Sequence, residues 1–71
     1  MEVARRYFRA IETPSGWHCH IGSTRLDQHD DLDEAIAHLA ELGQEHAPSE
    51  LFAHHMDGPV VSVVKFDEAA F

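Results

Sequence analysis

Two histidines flank a cysteine in the run Gly16-Trp17-His18-Cys19-His20-Ile21. Imidazole nitrogen and thiolate sulfur are ligands that zinc and nickel accept readily. Read as a strand, the run alternates, with Trp17, Cys19 and Ile21 on one face and His18 and His20 on the other. Strand rise then sets the two imidazoles about 6.6 Å apart, near enough to share Zn2+ or Ni2+. Two ligands do not finish a site, because a structural zinc takes four and a catalytic zinc three. Cys19 points to the opposite face and cannot join the pair without a bulge. Asp27, His29, His54 and His55 are further candidates from neighbouring strands. His18 and His20 are thus the candidate metal ligands, zinc or nickel the candidate ions, and no other cofactor is expected.

The remaining reactive residue types offer less. His38 stands near Glu34 and Glu41 at helical spacing, which reads as a solvated helix face. His54 precedes an Asp57-Gly58-Pro59 turn and is expected to bond its backbone. Cys19 reads as a small buried packing group, since a reactive thiolate needs positive charge nearby and acids dominate. No Gly-rich phosphate loop, Gly-x-Ser-x-Gly or His-Glu-x-x-His occurs, and no serine has a recognisable base. The chain therefore reads as a non-enzyme.

The elements that position these residues follow from periodicity. Val3 to Glu12 alternates, with Tyr7, Arg9 and Ile11 opposite Phe8 and Ala10. Thr13-Pro14-Ser15-Gly16 is a turn, Trp17 to Ser23 a second strand, and Arg25 to His29 a short third. Asp30 or Asp31 caps a helix whose apolar stripe is Leu32, Ala35, Ile36, Leu39, Leu42 and Gly43. Glu34, Ala37, His38, Glu41 and Glu45 are placed on the opposite side, and the helix ends near Glu45 or His46, ahead of Pro48. Ser49 to Met56 and Val60 to Phe66 form a hairpin. The expectation is an α+β fold: a single antiparallel sheet of four to five strands, β-β-(β)-α-β-β, with one helix packed on one face. Residues 1–71 make a single small domain, with 67–71 a frayed tail.

Composition narrows the function. Thirteen acids oppose five bases, a net charge of −8 with histidine neutral. No Lys or Arg occurs from Leu26 to Val64, while eight acids fall between Asp27 and Glu50. That balance argues against direct nucleic-acid binding, which needs clustered cations. The single cysteine excludes an intramolecular disulfide, and no apolar run or signal peptide is visible, so a cytoplasmic protein without membrane contact is expected. A 71-residue chain buries only roughly 60% of its unfolded surface, so metal or self-association would support it.

Gly16-Trp17, Leu32-Asp33-Glu34-Ala35-Ile36 and Glu50-Leu51-Phe52-Ala53-His54 leading to Asp57-Gly58 form a pattern. It resembles a family of small bacterial proteins of unknown function that run Gly-Gly-Trp, Lys-x-Glu-Ala-Ile, then a strand ending His-x-x-Asp-Gly. The resemblance spans Tyr7 to Val61 and implies a stand-alone hairpin, helix and returning strands, with no catalytic residues to carry over. The family is more basic where this chain has His18, His20 and Asp33.

One helix leaves one sheet face open, and the strands carry apolar residues on both faces. The expected function is therefore a small acidic protein-binding module, acting on a partner with a basic surface or as a dimer with a second copy of itself. Its candidate protein-binding residues are Asp30, Asp31, Asp33, Glu34, Glu41 and Glu45. Two alternatives stand beside it. One is a phage-type inhibitor of the anti-CRISPR kind, a nucleic-acid mimic whose carboxylates, Asp27 included, fill a basic channel. The other is transition-metal binding through the surface histidines.

Overall fold

The computed structural model describes residues 5–67. Its elements are β1 (Arg6–Thr13), β2 (Gly16–Ile21), β3 (Thr24–His29), α1 (Leu32–Glu45), β4 (Ser49–His54) and β5 (Val60–Phe66). The fold is α+β, with five strands in one sheet ordered β3-β2-β1-β4-β5 and a single helix against one face. The expected antiparallel pairing holds for β1–β2, β2–β3 and β4–β5, but β1 and β4 run parallel, so the sheet is mixed. The reason is the connection. Tight turns yield antiparallel neighbours, whereas a helix long enough to cross the sheet can return the chain beside β1 in the same direction.

Alternation builds the core. Phe8 and Ala10 of β1, Trp17 and Cys19 of β2, and Leu51 and Ala53 of β4 are buried on the covered face against Ala35 and Leu39 of α1. Ile21, Leu32, Ile36, Leu42 and Val64 pack around them, so the predicted helical stripe is the one that docks. Asp31 is the N-cap: its carboxylate accepts from the Glu34 N–H at 2.9 Å. At the other end the buried Ser49 hydroxyl donates to the Gly43 carbonyl at 2.7 Å. Gly43 itself lets the helix approach β5, because a Cβ there would lie 3.1 Å from the Phe66 ring.

The β1–β2 turn needs its glycine for two reasons. Gly16 has φ +127°, and a Cβ on it would fall 2.7 Å from the His29 carbonyl oxygen. β3 carries an irregularity: Cys19 pairs with Asp27 but His20 pairs with Arg25, leaving Leu26 as the extra residue. Met1 to Ala4, and all of the expected tail except Asp67, lie outside the described residues. Among the described residues, no helix is long and apolar enough to cross a membrane.

Candidate functional site

Cys19, Asp27, His29 and His38 converge beneath one edge of the helix, and one ligand atom from each lies within 4.8 Å of the others. Each is delivered by a simple geometric rule. Cys19 and Asp27 are cross-strand partners on the covered face. His29 follows Asp27 by two residues and shares that face. His38 is the correction to the sequence reading. It does not lie on the side of α1 turned away from the sheet; its Nδ1 sits 2.8 Å from Asp27 Oδ2. It stands three residues after the buried Ala35, on the flank of the apolar stripe that leans toward β3.

The bonding within the cluster is uneven. Asp27 Oδ2 receives both rings, His38 at 2.8 Å and His29 Nε2 at 3.3 Å, while the two ring nitrogens are 3.4 Å apart. Asp27 Oδ1 is buried and has no hydrogen-bond partner. The Cys19 thiol is fully buried; that burial, and then the neighbouring Asp27 carboxylate, push its pKa up to about 12. Glu34 Oε2 lies 4.0 Å from His29 Nδ1, on the outer side of the ring. Cys19 is thus the packing group expected from the sequence and also a member of a polar cluster that the sequence reading did not assemble.

His18 and His20 stand elsewhere, on the open face, and the structure brings neither into the cluster. The His18 ring contacts Thr13 Oγ1 at 3.4 Å. Partial burial first, then the charges of His18, Arg25 and Arg9, hold His20 below its ordinary pKa. His54 lies on the same face and lines a hollow there; the turn bond expected of it is made by the His55 backbone N–H, which donates to the Pro59 carbonyl.

Charge is divided between the two faces. The open face presents Arg9 of β1, Arg25 of β3 and Lys65 of β5; among the described strand residues Glu50 of β4 is the one acid there, and Asp67, just past β5, pairs with Arg5 at 3.4 Å. It also presents Tyr7 and Phe52, whose ring centroids are 6.1 Å apart. Together with Arg9, His54 and the exposed Val60, these two rings line a hollow of about 300 Å3. On the helix side, Asp30, Asp31, Asp33, Glu34, Glu41 and Glu45 are all exposed, and α1 carries no Lys or Arg. The strongly acidic sequence therefore folds into a sheet face that is locally cationic and a helix face that holds most of the negative charge. No family model, no curated protein and no solved structure matches the chain.

Proposed function

We propose that this protein is a non-catalytic binding module that takes a protein partner on the open face of its sheet. The observation that carries this reading is the division of charge between the faces. A surface kept only for solubility has no need to bring Arg9, Arg25 and Lys65 to the one sheet face that carries the Tyr7 and Phe52 rings while most of the acids lie on the far side. The hollow between Tyr7, Phe52 and Val60 suits an apolar anchor, and its rim suits carboxylates. The fitting partner is a protein with an acidic surface and one protruding apolar side chain. A second copy can supply the carboxylates from its own helix. A reducing, cytoplasmic setting goes with a single buried cysteine.

The acidic helix face supports a second reading, binding to a cationic protein surface or imitation of a nucleic acid. Six exposed carboxylates on and beside a helix without a cation favour it. A photo-crosslinking residue placed at Phe52 or at Gln44 in the native host separates the two. Adducts from position 52 that disappear with Arg9→Glu support the sheet-face reading. Adducts from position 44 alone, lost on reversing Glu34, Glu41 and Glu45 to lysine, replace it with the helix-face reading. No specific adduct from either position rejects the binding module.

A further inference from the structure

We propose that Cys19, Asp27, His29 and His38 form a four-ligand site for a divalent transition metal of the zinc class. The donor set is one sulfur, one carboxylate oxygen and two imidazole nitrogens, the mixture zinc takes in closed tetrahedral sites. Bonds of about 2.0–2.3 Å place tetrahedral ligand atoms roughly 3.3–3.8 Å apart. Asp27 Oδ2 to His29 Nε2 is 3.3 Å and His29 Nε2 to His38 Nδ1 is 3.4 Å, edges that already have that length, while Asp27 Oδ2 to His38 Nδ1, at 2.8 Å, has to open by about half an ångström. The widest separation, within 4.8 Å, closes by about an ångström of side-chain rotation.

Two features of the cluster are costly without a cation and resolved by one. Asp27 Oδ1 is a carboxylate oxygen removed from water with no nitrogen or oxygen donor to accept from, and the Cys19 thiol, a weak donor, is the group that bonds Asp27 instead. Two ring nitrogens also point at one carboxylate oxygen while lying 3.4 Å from each other. A divalent ion taken by either Asp27 oxygen neutralises the buried carboxylate and lets both rings offer lone pairs. It also balances charge: one thiolate and one carboxylate neutralise the ion, and the two imidazoles bind neutral. On uptake the sulfur–metal bond replaces the sulfur–hydrogen bond, and the Cys19 proton passes to solvent. Glu34, 4.0 Å from His29 Nδ1, is near enough to serve as an outer partner of that ring after a small side-chain shift. Nitrogen and sulfur donors select zinc or cobalt over magnesium or calcium. Because all four ligands come from the chain, the site is structural: it ties β2, β3 and α1 together, the staple that so short a chain needs.

Cobalt(II) is the test probe, added to reduced, tag-free protein at pH 8. The expected result is saturation at one ion per chain with intense tetrahedral visible bands, a near-ultraviolet thiolate-to-cobalt charge-transfer band and release of about one proton per ion. Zinc should displace cobalt, and magnesium should not. Cys19→Ser should abolish the charge-transfer band. His38→Gln, at a half-exposed position, should weaken binding by more than about 100-fold while its circular dichroism stays native. A spectrum without tetrahedral bands in folded wild-type protein overturns the proposal. So does cobalt binding that survives His38→Gln and is lost in a His18→Ala, His20→Ala variant.

Discussion

Ser49→Ala isolates one buried hydrogen bond and gives a clean measure of how β4 is joined to the helix. Ser49 is completely buried, and its hydroxyl donates to the Gly43 carbonyl at 2.7 Å. That carbonyl belongs to the last turn of α1, where intrahelical donors run out. Alanine fits the space but leaves the carbonyl without this donor in a place water does not reach. Stranding a buried acceptor costs about 1–3 kcal/mol. A total stability of roughly 4–10 kcal/mol is expected for a chain of this length, so a loss of about 2 kcal/mol is a large share. In a domain of this size it lowers Tm by about 8–16 °C. The assay is urea unfolding followed by Trp17 fluorescence, since Trp17 lies in the core. Ser62→Ala is the matched control: its hydroxyl donates to Glu50 at 2.8 Å, but on an exposed strand. It should cost less than about 0.5 kcal/mol. If the two variants unfold at the same urea concentration, the buried bond does not join β4 to α1 as described.

Four further outcomes follow from the same geometry. Asp31→Ala removes the N-cap acceptor of the Glu34 N–H and should lower stability by about 1 kcal/mol in the same assay. Cys19 should resist a thiol-alkylating reagent at pH 8 in metal-free native protein and react at once in denaturant; fast native labelling would contradict its burial. The raised thiol pKa also sets a sign: stability should be intact below the ordinary thiol value and fall as pH rises from about 9 toward about 12, and urea titrations across that range read it. His20 has the opposite sense. Its lowered pKa means its contribution is present above the ordinary histidine value and lost as pH falls below it, so His20→Gln should flatten that part of the stability profile.

Much of the fold was legible because it rests on periodicity. The alternation of Phe8 and Ala10 against Tyr7, Arg9 and Ile11, the stripe from Leu32 to Gly43 and the Asp31 cap needed only neighbouring residues to be read. The parallel β1–β4 pair was not legible, because the path of α1 over the sheet decides it, and no local pattern encodes that path. The Cys19 cluster shows the same limit at side-chain scale. Cys19 was correctly turned away from His18 and His20, yet its partners depend on the Cys19–Asp27 register, which the extra residue Leu26 sets. The polarity of His38 and its acidic neighbours point to a solvated face and hide its position on the flank of the buried stripe. Net charge misled in a similar way. A total of −8 reads as an acidic protein, but alternation sends Arg9, Arg25 and Lys65 to one face.

The proposed zinc-class site lies at the junction of β2, β3 and α1 rather than on the open sheet face. Anomalous scattering at the zinc edge from crystals grown with zinc tests this most directly. The expected result is one strong peak about 2.0–2.3 Å from Cys19 Sγ, an Asp27 carboxylate oxygen, His29 Nε2 and His38 Nδ1. A peak between His18 and His20, or none while both rings stay bonded to Asp27, contradicts it.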